Sequence, residues 1–324
     1  MPLNNTNSSR KEVLRLFEAG QISISKVFKS IKEEEVEQIG AQEGVSSQQD
    51  RIKEVIDELN KLVGLDNIKE LVKELKAFVK IQQVRKQRGL KSDPLVLHMI
   101  FKGNPGTGKT TVARIFGKLF KELGVLETGE LQEVERADLV GEYIGHTAKK
   151  TREVIDKALG GILFIDEAYS LARGGKKDFG KETIDTLVKE MEDNKDNLII
   201  ILAGYPQEMD HFLSTNPGLK SRFPIQIEFE DYTLDQLVEI ASLMLKNREY
   251  ELTSQAETKF YSLLAKIRQE KGTDSGNART VRNIIERLLR KQATRLADLK
   301  SIKKEELITI TKADLHQLTI DEIY

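Results

Sequence analysis

Between residues 101 and 120 the chain reads FKGNPGTGKTTVARIFGKLF. Gly103, Asn104, Pro105, Gly106, Thr107, Gly108, Lys109 and Thr110 fit the spacing Gly-x-x-x-x-Gly-Lys-Thr, with Thr111 directly after. An apolar run precedes this stretch, and Val112, Ala113, Ile115, Phe116, Leu119 and Phe120 follow at helical spacing. A strand before and a helix after are the context in which the pattern reads as a phosphate loop rather than an ordinary turn. Glycines let successive backbone N–H groups face an anion, and the helix adds its positive N-terminal end. In such a loop Lys109 reaches the β- and γ-phosphates of ATP, and the Thr110 hydroxyl completes the shell of a magnesium ion.

A second stretch, GGILFIDEAYSLAR (residues 160–173), ends an apolar strand in two adjacent carboxylates. At a sheet edge beside a phosphate loop these acids divide the work: Asp166 holds Mg2+ through water, and Glu167 acts as general base toward the attacking water. Taken alone, such a run could equally be a strand capped by a solvated turn. The upstream loop favours the chemical reading. The histidines, His98, His146, His211 and His316, show no paired metal spacing, and the chain has no cysteine, which excludes disulfides, thiolate metal sites and a thiol nucleophile.

Around these motifs the pattern predicts an α/β fold. Apolar runs at 95–101, 162–166, 198–204 and 225–229 alternate with helical patterns, as in a parallel sheet covered on both faces, and Leu131–Glu135 is a weaker fifth strand. Helical segments at 234–249, 254–271 and 279–297 then suggest a smaller helical domain, followed by a polar tail carrying a short LITIT run. The expected organisation is an N-terminal helical and linker extension over 1–50, a nucleotide-binding domain over 51–232, a helical lid over 233–300 and a tail over 301–324. Within the extension, Arg10 to Ile31 have helical spacing, interrupted at Gly20.

With 51 basic and 52 acidic residues among 324, no global field favours nucleic acid or an anionic membrane. No apolar run is long enough to span a bilayer, and the first residues lack the features of an export signal. The expectation is a soluble, cytoplasmic protein.

Together, NPGTGKTTVAR, ERADLVGEYIGHTAKKTR, GGILFIDEAYSLARGGKKDFGKETIDTLVKEME, ILAGYPQEMDHFLSTNPGLKSRFP and VRNIIE resemble the CbxX/CfxQ family of AAA+ ATPases, from about Leu62 to Leu296. The resemblance implies the AAA+ form of the P-loop fold: a parallel five-stranded sheet between helices and then a helical lid. It also implies an ATP-hydrolysing homo-oligomer, a hexameric ring that remodels or threads a protein client through a central pore. The subgroup with the nearest likeness belongs to spore-forming bacteria and implies a role in spore formation. Val63 and Gly64 match the position where the family packs adenine, although VGL is also an ordinary helix-connecting turn. Arg222 matches an arginine finger that reaches a neighbour's γ-phosphate; a lone arginine would otherwise be a surface ion pair. Arg279 in GNAR resembles the second sensor, the alternative being a solvated helix face. Tyr143, Ile144 and Gly145 match the aromatic, aliphatic, glycine motif of a pore loop, and Arg173 to Lys181 resembles a second, basic one. Where many relatives end the fourth strand in Thr-Asn, this chain has Ala203, Gly204 and Tyr205, so the first sensor departs from the pattern. Tyr205 either serves through its hydroxyl or packs beneath the loop.

Two other readings compete. A nucleic-acid loader would use Arg279, Arg282, Arg287, Arg290, Lys291 and Arg295, yet Ile284, Ile285, Leu288, Leu289, Ala293 and Leu296 make these the solvated face of an amphipathic helix, and no nucleic-acid partner is expected. An ATP-gated scaffold that does not hydrolyse would account for the missing Thr-Asn pair.

Overall fold

The computed structural model describes residues 47–91, 96–143, 145–173, 179–297, 299–316, 318, 320 and 323. Contacts divide the chain into Met1–Glu54 and Val55–Tyr324. Of the first unit only 47–54 are described, and they are helical; the helices expected over Arg10 to Ile31 lie outside the described residues.

The second unit opens with a short helix, α1 (residues 55–60), and α2 (Asp66–Gln87). Alternation of strand and helix then gives β1 (Met99–Gly103), α3 (Lys109–Glu122), β2 (Leu131–Val134), α4 (Arg136–Leu139), α5 (His146–Ala158), β3 (Ile162–Ile165), α6 (Gly180–Asp193), β4 (Ile199–Gly204), α7 (Pro206–Thr215), α8 (Pro217–Lys220) and β5 (Ile225–Phe229). All the pairings are parallel, in the order β2-β3-β4-β1-β5. The weakly patterned fifth strand is thus β2, at one edge.

The central strands read as continuous apolar runs because both faces are covered. On one face Ile100, Leu163, Ile165, Ile200 and Leu202 pack with Leu187 and Phe212 from α6 and α7. On the other, Phe101 meets Phe116 of α3 edge-on at 6.0 Å and stands 5.0 Å from Phe229.

The expected strand from Leu95 begins only at Met99, although Leu97 and His98 are buried. Here a side chain takes the place of the strand backbone: His98 Nδ1 accepts the Ile200 N–H at 3.0 Å.

The lid consists of α9 (Leu234–Lys246), β6 (Glu251–Leu252), α10 (Ser254–Lys271), α11 (Asn277–Ala297), α12 (Lys304–Ile308), β7 (Thr309–Ile310) and α13 (Lys312–Leu315). Thr233 starts α9 with a capping box shared with Gln236, the signature Thr-x-x-Gln. The stretch expected as a tail is built into this unit. β7 pairs with β6, Ile310, Leu315 and Ile323 are buried in the lid cluster, and Arg295 grips the buried Asp314 through two bonds of 2.7 and 3.0 Å. Burial pushes the Asp314 carboxyl up, but hydrogen bonds from Arg295 and Thr311 outweigh it and hold it below the usual range.

Candidate nucleotide site

The loop joining β1 to α3 borders a cleft of about 720 Å³ between the sheet's C-terminal edge and the lid. Gly106 and Gly108 take left-handed backbone, φ 76° and 100°, which glycine adopts without penalty. Gly103 is needed for a different reason: a Cβ there would lie 2.6 Å from both Phe229 Cβ and Phe229 O. Gly103, Pro105, Gly106, Gly108, Lys109, Thr110 and Thr111 all line the cleft. Lys109 Nζ donates to the carbonyls of Gly103 at 2.7 Å and Asn104 at 3.0 Å. Burial pushes the Lys109 ammonium below its ordinary value; Asp166 opposes that shift, the Arg279 charge adds to it, and Asp231 also opposes it.

Asp166 and Glu167 sit at the cleft wall just past β3. The Glu167 N–H donates to Asp166 Oδ1 at 3.0 Å. Glu167 itself has φ 46°, an uncommon conformation for a residue with a Cβ. Its neighbour is Tyr169, whose phenol is pushed up to about 12 by burial and then by the Glu167 charge. Tyr205 also lines the cleft, with its ring centroid 6.1 Å from that of Tyr169.

Other expected residues divide into three groups. Arg279 and Val63 line the cleft. Asn104, Thr107 and Gly64 do not. Asn104 turns toward Asp231, the buried Thr107 hydroxyl bonds back to Asn104 O at 2.8 Å, and a Cβ on Gly64 would stand 2.8 Å from Gln236 Nε2. Arg222, Tyr143 and Gly145 lie away from the cleft. Arg222 follows α8 and is bound to Glu192, while Tyr143 is 65% exposed, just ahead of Gly145 at the start of α5. Ile144 lies outside the described residues, as does most of the second basic loop; Arg173, at its start, stacks 4.6 Å from the Tyr169 ring centroid.

The lid side contributes residues that the sequence pattern placed only within a helical segment or at the domain boundary. Tyr232, Ile240, Leu243, Met244 and Asn247 line the cleft with Val63 and Leu65, forming an apolar wall suited to a base. Leu243 is 38% exposed, the one sign that this stripe also serves a cleft.

The residues fit a nucleoside triphosphate and a hard divalent cation. Gly103, Gly106 and Gly108 put backbone on the cleft wall, basic Lys109, Arg279 and Arg282 line the same cleft, and the oxygen donors Thr110 and Asp166 stand on its wall. Thr110 Oγ1 lies 3.4 Å from Glu133 Oε1. Among the described residues no group of three or more acidic, histidine or cysteine side chains forms a metal cage of its own, and magnesium is commonly held by few protein ligands plus phosphate oxygens and water.

Residues 99–231 match the model of the ATPase family associated with various cellular activities, and residues 233–322 match the AAA lid domain. Stage V sporulation protein K of Bacillus subtilis is 56% identical over 268 residues, 82% of each chain. A CfxQ homolog of Trieres chinensis is 44% identical over 83% of this chain and 93% of its own. The chain belongs to the CbxX/CfxQ family of AAA+ ATPases. A chloroplastic ribulose bisphosphate carboxylase/oxygenase activase of Cyanidioschyzon merolae is 42% identical over 82% of this chain and 92% of its own. As a member of this family the protein is an ATP-hydrolysing enzyme with a parallel AAA+ sheet and a helical lid. Among the described residues no helix is long and apolar enough to cross a membrane.

Proposed function

We propose that the protein is a motor that assembles as a ring, in six copies, and pulls on a protein client. The observation that carries this reading is the position of Arg222. The cleft holds the loop, the acid pair and Arg279, yet Arg222 is not among its lining residues. An arginine finger so placed serves a phosphate held by the next subunit, which makes assembly a condition of hydrolysis.

In the proposed cycle the loop amides and Lys109 bind the β- and γ-phosphates, and Glu167 takes a proton from the attacking water. Thr110 and Asp166 would hold magnesium, which when bound would supply positive charge to offset that of the phosphates. Arg222 from the neighbour stabilises charge in the transition state, and Arg279 ties the result to the lid. Tyr143 supplies a large, sequence-tolerant gripping surface at low rotamer cost, and Gly145 after it has φ 80°. The relative named as an activase of another enzyme supports a folded protein as client, and the sporulation protein supports a place in spore formation, in the cytoplasm. Nucleic-acid loading has less support, because Arg295 is committed to Asp314, and Arg279 and Arg282 to the cleft.

Replacing Glu167 with Gln tests the scheme. The variant should bind ATP, accumulate as the closed ring in sedimentation and release no phosphate. Normal turnover, or a monomer at all ATP concentrations, would refute it.

A further inference from the structure

A buried polar knot joins the phosphate loop to the lid. Asn277, the first residue of α11, is 2% exposed and has φ 48°. Asparagine tolerates that left-handed conformation better than other residues with a Cβ. Its Nδ2 donates to Asp231 Oδ1 at 2.8 Å and to Pro105 O at 3.3 Å, while its Oδ1 accepts the Tyr232 N–H at 3.0 Å. Asn104 Nδ2 donates to both oxygens of Asp231, at 3.0 Å each.

Two further bonds run alongside. The Ala278 N–H donates to Gly106 O at 3.2 Å, and the Tyr232 hydroxyl donates to Thr107 O at 3.1 Å. Three successive loop carbonyls, those of Pro105, Gly106 and Thr107, are therefore held by donors from the lid and its hinge. The surfaces also touch: a Cβ on Gly106 would stand 2.4 Å from Gly276 O.

Peptide geometry gives these bonds a consequence for the anion. In a trans peptide the carbonyl of one residue and the N–H of the next point in opposite directions. Fixing the carbonyls of Pro105, Gly106 and Thr107 outward therefore aims the N–H groups of Gly106, Thr107 and Gly108 to the opposite side. We infer that Asn277 is a positioning residue for phosphate: paired with Asp231, it orients the loop amides, so that the placement of the lid sets the affinity for a β-phosphate. The inference rests on the reading of Gly103 to Thr110 as the phosphate site. Asparagine suits the role because one amide supplies two donors and an acceptor; aspartate at 277 would keep the acceptor, lose both donors and set a second carboxylate against Asp231.

The experiment compares affinities for ADP and AMP, which differ by the β-phosphate, in the full chain. Asn277→Asp should weaken ADP by roughly tenfold to a hundredfold, the scale of a lost charge-assisted bond, while leaving AMP within about twofold. Exchanging the pair, Asn277→Asp with Asp231→Asn, restores a donor opposite an acceptor between the two residues but leaves Pro105 O without its donor, and should recover only part of the loss. Asn277→Gly removes the amide without straining the backbone and provides the same comparison if the aspartate variant does not fold. If both variants at 277 bind ADP as the wild type does, or lose ADP and AMP equally, the inference is overturned. Failure of the wild type to bind ADP, or of Lys109→Ala to weaken it, would instead remove the phosphate-site reading beneath it.

Discussion

Arg222 and Glu192 form an ion pair within one chain: the guanidinium Nε and Nη2 lie 2.7 and 2.6 Å from the same carboxylate oxygen, and Nη1 donates to Gly218 O at 2.9 Å. Both side chains are partly exposed, 33% and 57%, so the pair contributes about 1 kcal/mol or less, and Arg222 can leave it at little cost. Arg222→Ala should then lower kcat by roughly a thousandfold or more with little change in ATP affinity. Mixing decides whether the residue acts across subunits. Lys109→Ala subunits keep Arg222, and Arg222→Ala subunits keep their own loop, so mixed rings should regain phosphate release that neither variant shows alone. No recovery on mixing would place Arg222 outside its proposed role.

Glu167 pays for its position in backbone strain, since φ 46° is costly for a residue with a Cβ. Glu167→Gly should therefore unfold at the same or slightly higher urea concentration, a gain of up to about 1 kcal/mol, while losing turnover. A β-branched Glu167→Val should be destabilised by about 1–2 kcal/mol relative to the glycine variant. Equal midpoints for the two would show that the conformation is not strained in solution.

The glycine-rich turn from Gly103 to Thr110 and the acid pair beside it at the cleft were legible because the pattern is local: a fixed spacing, a strand before it and a helix after it. The central strands were legible as apolar runs too short for helices. The start of β1 was not, because His98 takes a ladder bond with its side chain, which no periodicity reveals. The apolar wall of the cleft was hidden for another reason. Ile240, Leu243 and Met244 repeat at the i, i+3, i+4 spacing of any core stripe, and only the meeting of lid and sheet turns that stripe toward a ligand. Asn277 lies within GNAR, but its partners Asp231 and Pro105 are 46 and 172 residues away. The last two dozen residues look polar overall, yet Ile310, Leu315 and Ile323 among them are buried in the lid cluster, beside the β6–β7 pairing.

Tyr143 is 65% exposed and its ring meets His146 edge-on, with centroids 5.6 Å apart. A large exposed aromatic that anchors nothing in the core can be removed without unfolding the domain. Tyr143→Ala should keep its melting temperature and basal phosphate release within about twofold while losing work on a client, and Tyr143→Phe should retain much of that work because the ring supplies the contact. A client assay in which the alanine variant works as well as the wild type would exclude the gripping role.

His98 predicts a pH dependence that involves no catalytic group. Burial lowers its pKa from 6.5 to about 4, with the Met191 carbonyl opposing the shift. Because Nδ1 accepts from Ile200, the ring is held as the neutral tautomer with its proton on Nε2, facing Met191 O at 3.4 Å. The sign follows from proton counting. Between pH 6.5 and about 4 the unfolded chain binds a proton at His98 that the folded chain does not, so stability is intact above this window and falls as pH drops through it. At pH 5 the loss from this one residue is about 2 kcal/mol. His98→Gln can still accept from the Ile200 N–H but does not titrate. Its urea midpoint should therefore decline less than that of the wild type between pH 7.5 and pH 5, by about that amount of free energy. Parallel declines would mean that the imidazole is protonated in the folded protein and that the Ile200 bond does not hold it neutral.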